Sequence, residues 1–276
     1  LAVLVQGKGK IRVQLVPLVA LAVCLVPLLQ YGAGVLVFSG QAWISSAYLL
    51  GFTLAIVTGQ QWQRSNPPWM ERVLFCAFLG AGVTSVFLAL HQWLRLGDSA
   101  GLLEIWILYY PPDRGRPYAN LAQPNQLATL LVWAIVACAW ATHRAYLRVL
   151  GGVTLAGFLI IGLALTQSRS GMVGIFILLC ACFAWRHLVK SRLFFYCVFG
   201  LFFWYVLLLL TLPHFGQMLL LDTEISFVER SARESRPYMW HMLFDAAKLE
   251  PWRGYGWNQV LPAQVAVAET YTRMSG

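Results

Sequence analysis

Seven apolar runs of roughly 17–22 residues, each long enough to cross a bilayer as a helix, dominate this chain. They cover approximately 15–37, 43–61, 72–91, 126–142, 150–167, 171–186 and 193–212. In hydrocarbon every backbone N–H and C=O needs a partner within the protein, and a helix supplies one to nearly all of them. Only 11% of the 276 residues are charged, about half the share of a soluble domain. A water-soluble globule and a disordered chain are both excluded. The fold class is therefore all-α: a polytopic membrane protein with about seven transmembrane helices. The fifth and sixth runs are separated only by Gln167-Ser168-Arg169-Ser170, which predicts a tight helical hairpin.

The charges between the runs set the orientation. One side receives Lys8, Lys10, Arg12, Arg64, Arg72, Arg144, Arg148, Arg186, Lys190 and Arg192, with Glu71 as its one acid. The other side receives the remaining ten bases and ten acids and is neutral. The whole net charge of +9 thus lies on one side. Positive residues mark the cytoplasmic face, so the N-terminal end is predicted inside. Residues 92–125 and everything after 213 are predicted outside. The basic balance is a topology signal and calls for no nucleic-acid partner. Residues 1–212 form the predicted membrane region and 213–276 the first part of an external domain.

The six cysteines all fall inside apolar runs and none forms a CxxC pair, so they read as small apolar fillers rather than metal or redox groups. The chain begins at Leu1 and stops at Gly276 without an obvious terminus, which reads as a fragment cut at both ends.

Two outer segments are too long for simple connectors. The first holds the aromatic-rich stretch 101–110, suited to the membrane interface. The second contains an amphipathic helix over 237–249, with Trp240, Leu243, Phe244 and Ala247 on its expected apolar face and His241, Asp245 and Lys248 opposite. Pro237 suits its first turn and Pro251 its end.

Arginines stand beside predicted helix N-termini three times on the outer side. Arg116 precedes Gln123-Pro124-Asn125-Gln126 and the fourth span. Ser168-Arg169-Ser170 opens the sixth, and Arg236 opens the amphipathic helix. A helix N-terminus offers unpaired N–H groups and positive dipole to an anion, and a guanidinium adds a bidentate phosphate contact. Converged on one pocket, these groups bind a pyrophosphate. Plainer readings stand beside this one. Arg169 then anchors to lipid headgroups, Arg116 is a solvated loop charge, Arg236 pairs with Glu234 or Asp245, and Gln123 and Asn125 are ordinary caps. The placement of all three arginines on one side favours the anion site. His241, on a polar face near Asp245, reads as an exposed surface residue before it reads as a base. There is no HExxH, no DxD and no pair of carboxylates in an outer loop. A metal-dependent sugar transferase needs acids to hold its ion, so neither metal nor cofactor is expected.

At these residues the chain resembles the superfamily of O-antigen ligases, Wzy-type polymerases and bacterial protein O-oligosaccharyltransferases, and most of all the pilin-glycosylating branch. The resemblance rests on Gly115-Arg116, on the stretch from Asn120 to Leu131, on Thr166-Gln167-Ser168-Arg169-Ser170-Gly171, on Arg236-Pro237-Tyr238-Met239-Trp240 and on Pro251-Trp252-Arg253-Gly254-Tyr255-Gly256-Trp257-Asn258-Gln259. It implies about a dozen spans with a large periplasmic loop, an undecaprenyl-pyrophosphate-linked glycan as donor, and transfer without a metal to a hydroxyl of a periplasmic protein such as a pilin. It further implies pyrophosphate binding by Arg169, Arg236 and Arg116, supported by Gln123, Asn125, Gln126, Ser168 and Ser170. The general base in this scheme is a periplasmic His followed by Asn. None of the five histidines is followed by Asn, so the base is expected beyond Gly276. Trp252, Tyr255 and Trp257 are candidates for stacking on sugar or peptide.

Rival readings are an O-antigen ligase with a lipid A–core acceptor, a glycan polymerase, and a transporter of an anionic lipid. A transporter tends to carry charges deep in its spans and repeated halves, and neither is visible here.

Overall fold

The computed structural model describes residues 15–65, 67–96, 116–184, 192–218 and 236–274. The aromatic stretch 101–110 and the segment 219–235 lie outside the described residues. Among the described residues the chain is helical, with no strand: α1 (Leu15–Gly32), α2 (Ser39–Ser65), α3 (Pro67–Trp93), α4 (Pro124–His143), α5 (Val149–Thr166), α6 (Arg169–Ala184), α7 (Arg192–Met218), α8 (Arg236–Leu249) and α9 (Val260–Met274).

Six of these, α1 to α5 and α7, are long and apolar enough to cross a membrane. The sixth expected span, α6, is apolar but has only 16 residues, about 24 Å of helix against a hydrocarbon core of about 30 Å. The chain is a membrane protein. Large apolar side chains such as Leu15, Tyr48, Phe52, Leu150 and Leu210 stand exposed on these helices, as lipid-facing surfaces require. Helix α7 continues past residue 212 to Met218 with Pro213 inside it. Membrane helices tolerate an internal proline when neighbours re-satisfy the freed carbonyl.

The residues divide into two compact units, one of residues up to Met70 together with those from Ala232 onward, the other of Glu71–Ser231. The second unit, holding α4 to α7 and all but the first turn of α3, has the larger core. Val86, Leu127, Leu131, Leu159 and Leu163 are fully enclosed there. Without a hydrophobic driving force between helices in lipid, close packing depends on small residues. A Cβ on Gly174 would lie 2.7 Å from Val132, and one on Gly171 would lie 3.3 Å from Ala128. Helix α6 therefore lies directly on α4, in the same direction.

In the first unit α1 and α2 form a hairpin, and α8 packs on α9. The amphipathic helix starts where expected, but its buried face differs from the prediction. Ala246 is buried against Ala263 and Val267, with Met242 and Leu243 beside it. Trp240 and Phe244 are about three-fifths exposed, their rings 6.3 Å apart. The small Ala246 lets the two helices approach, so the bulky aromatics turn outward.

Candidate functional site

At one end of the α3–α7 unit four helix ends meet: the last turn of α3, the C-terminus of α5 and the N-termini of α4 and α6. The sequence builds each end locally. Gln123 is extended (φ −147°, ψ 125°) because a following proline disfavours the helical region. Pro124 then occupies the first helical position, where its missing N–H costs nothing. Gln167 closes α5 in the left-handed region (φ 44°) and turns the chain into α6 within two residues.

The two N-termini are joined by hydroxyls. Ser168 Oγ donates to Asn125 Oδ1 at 2.8 Å and lies 2.7 Å from Ser170 Oγ. A serine has one O–H, so Ser170 donates to Ser168, which donates to Asn125. Ser168 itself is buried, and its carbonyl accepts from Met172 N–H, starting α6. Thr166 Oγ1 accepts from Ser168 N–H at 3.3 Å. The side chain of Gln123 makes no capping bond, and Asn125 reaches across to α6 instead of capping α4.

Arg116 occupies the neighbouring helix end. Its Nε–H donates to Thr166 O at 2.9 Å and an Nη2–H to Gln167 O at 3.4 Å. The last carbonyls of a helix have no partner within it and carry negative dipole, so the guanidinium caps α5. It is a held group and not a solvated loop charge. Arg169, the first residue of α6, is half-buried at the same corner. Gln123, Gln126 and Ser170 are exposed. The corner thus combines two parallel helix N-termini with two guanidinium groups, an arrangement that favours a bound anion.

A residue that sequence reading passed over holds this corner in place. Gln92, 1% exposed, accepts from Tyr118 N–H at 3.0 Å and Ala119 N–H at 2.8 Å, and donates to Ala119 O at 2.9 Å. Ala119 (φ 50°) and Ala122 (φ 57°) are both left-handed, a conformation that costs a non-glycine residue about 1–3 kcal/mol and persists where the surroundings enforce it. The available signal was a lone amide at the end of an apolar span.

Arg236 is the first residue of α8, and its side chain lies outside the described residues. In its unit the Gly254–Gln259 string docks on the α1–α2 turn. Trp257 N–H donates to Gln30 Oε1 at 2.7 Å, and Gln259 Nε2 donates to Gln41 Oε1. A Cβ on Gly256 (φ 102°) would meet Leu36 at 2.9 Å, so this position needs glycine for both conformation and space. Tyr255 packs beside the α8–α9 core and donates its hydroxyl to Ala246 O. Trp252 stands fully exposed. Asp245 pairs with Lys248 at 2.7 Å.

Residues 154–274 match the family model described as O-antigen ligase, and residues 117–140 the one described as protein glycosylation ligase. A general O-oligosaccharyltransferase of Acinetobacter baylyi is 31% identical over 272 residues, covering 93% of this chain and 46% of the relative. A ComP-specific O-oligosaccharyltransferase of the same species is 24% identical over 240 residues, covering 86% of this chain and 42% of the relative. The chain spans less than half the length of these curated relatives. No solved structure matches it. The chain is therefore similar to the O-antigen ligase family over residues 154–274, to the protein glycosylation ligase family over residues 117–140, and along nearly all its length to a general O-oligosaccharyltransferase.

Proposed function

We propose that this chain serves protein O-glycosylation in the bacterial inner membrane, with its N-terminal end cytoplasmic and its reaction on the periplasmic side. A glycan moves from undecaprenyl pyrophosphate to a Ser or Thr hydroxyl of an exported protein such as a pilin. The hydroxyl oxygen attacks the anomeric carbon, the bond from that carbon to the pyrophosphate oxygen breaks, and the pyrophosphate leaves with the electron pair. The hydroxyl proton passes to a base, expected from a His outside these residues.

The observation that carries this reading is the corner of Arg169, Arg116, Asn125, Ser168 and Ser170 at two parallel helix N-termini. Charge that develops on a leaving pyrophosphate is stabilised by preorganised N–H donors and guanidinium groups, which lets the transfer proceed without a metal. Asn125, Ser168, Arg169 and Ser170 fall within residues matched to the two ligase families, and Arg116 stands one residue before the first match; both relatives are named O-oligosaccharyltransferases. Arg236 carries the same assignment on the resemblance alone. Residues 213–276, in this reading, begin the periplasmic domain that receives the acceptor. The O-antigen ligase match is the longer of the two and supports a second reading, in which lipid A–core is the acceptor.

The test is a host supplied with a lipid-linked glycan, the full-length protein and a pilin-like acceptor. Glycan should appear on Ser or Thr of the acceptor. Arg169→Ala should abolish transfer at unchanged membrane levels, and Arg169→Lys should rescue poorly, because an ammonium lacks the bidentate fork. Undiminished transfer by Arg169→Ala would sink the pyrophosphate site. Glycan on lipid A–core alone would establish the second reading.

A further inference from the structure

The basic end of the α4–α7 bundle holds a cavity of about 600 Å³, within the range of ligand pockets. Ile135, Ile160, Ile175 and Phe202 line its body. Two polar groups of its wall are already satisfied there: Thr142 Oγ1 donates to Cys138 O, and Cys138 Sγ to Gly152 O. The body of the wall therefore offers an occupant mainly apolar contact.

The rim is different. His143 belongs to the lining, and the exposed Arg148 and Arg192 each stand one residue from a lining residue, Val149 and Leu193. The acid described on this face is Glu71, and it is held by Arg144 at 2.8 Å. An apolar chamber with a cationic rim is complementary to one kind of molecule in a bilayer, a lipid with an anionic headgroup.

We propose that this cavity is a site for an anionic glycerophospholipid of the leaflet on the basic side, its acyl chains between α4, α5, α6 and α7 and its phosphate at Arg148 and Arg192. Basic pockets between membrane helices on this side bind such headgroups. The site lies at the opposite ends of α4 and α6 from Asn125 and Arg169, and it does not depend on the glycosyl-transfer reading.

The experiment uses the full-length protein in mixed phosphatidylglycerol and phosphatidylcholine vesicles, with retained lipid read by native mass spectrometry after re-extraction. Wild type should retain phosphatidylglycerol in preference. Arg148→Gln with Arg192→Gln should reduce that preference roughly tenfold or more while retention itself persists. Val198→Trp, which fills the cavity, should remove the lipid. An independent reading uses the native thiols of the unaltered protein. Maleimide labelling of the lining Cys182 and Cys197 should slow as phosphatidylglycerol is titrated in, while the exposed Cys76 and Cys180, outside the lining, are unaffected. Retention of both headgroups alike, retention of no phospholipid, retention of a polyprenyl lipid in its place, or uniform labelling of all four thiols overturns the proposal.

Discussion

Ser168 donates its hydroxyl proton to Asn125 Oδ1 across 2.8 Å, tying the start of α6 to the first turn of α4 from 43 residues away. This contact gives a sign-specific test of the anion site. Asn125→Asp keeps the acceptor for Ser168 and adds negative charge in a helix first turn, which is stabilising by about 0.3–1 kcal/mol. The same charge repels a pyrophosphate. Thermal stability should hold or rise slightly while glycosyl transfer falls by more than about tenfold, the effect of about 1.4 kcal/mol. Stability in detergent and acceptor glycosylation, measured on one preparation, separate the two effects. A fully active Asn125→Asp protein places the anion elsewhere.

Gln92 is expected to matter through position alone. Gln92→Leu strands two buried amide N–H groups and one carbonyl, and each stranded buried group costs about 1–3 kcal/mol. Gln92→Glu keeps the acceptor for both amides, and with its carboxyl protonated it also keeps a donor for Ala119 O; ionised, it buries an unpaired charge. At a pH low enough to protonate that carboxyl, the expected order of thermal stability is wild type, then Gln92→Glu, then Gln92→Leu. Equal stability of the three would show that the loop before α4 is held by other contacts.

Arg116 should matter to stability and activity together. Arg116→Ala removes two charge-assisted bonds to the end of α5, worth about 1.5–3 kcal/mol each at most, so both thermal stability and transfer should drop. An unchanged melting temperature of the Arg116→Ala protein would show that the end of α5 is held by other groups.

Two aromatics of the Pro251–Gln259 string make opposite predictions. Tyr255→Phe loses a bond to Ala246 O from a packed ring and should cost about 0.5–1.5 kcal/mol with little change in acceptor use. Trp252 is fully exposed, so Trp252→Ala should leave stability unchanged and raise the acceptor KM if the indole stacks on sugar or peptide. An unchanged KM would leave Trp252 as an interface anchor.

Reporter fusions test the orientation. Fusions after Gly40, Arg114, Arg169 and Glu250 should report outside, and fusions near Arg64, Arg144 and Lys190 inside. An inside signal at Arg169 would reverse the proposed orientation and with it the proposed periplasmic placement of the corner.

The sequence by itself determined the helical membrane class, the approximate spans, the start of α4 at Pro124 and a tight turn into α6, expected over the four residues 167–170 and closed by the structure in two. These follow from local quantities: the length of a charge-free run, the missing N–H of a proline, the spacing of polar residues. It also singled out Arg116, Asn125, Ser168, Arg169 and Ser170, because a guanidinium or an amide beside a helix start is visible in one dimension. Only the tertiary structure decided how those groups are used. Arg116 caps α5 because Thr166 O lies in reach, 50 residues along the chain. Gln92 became the anchor of the α4 entry because 26 and 27 residues separate it from the amides it holds. The buried face of α8 was settled in the same way, since Ala246 and not Trp240 faces Ala263. A polar group's role depends on which partner its neighbours bring within about 3 Å, and periodicity along one helix carries no record of the surface packed against it.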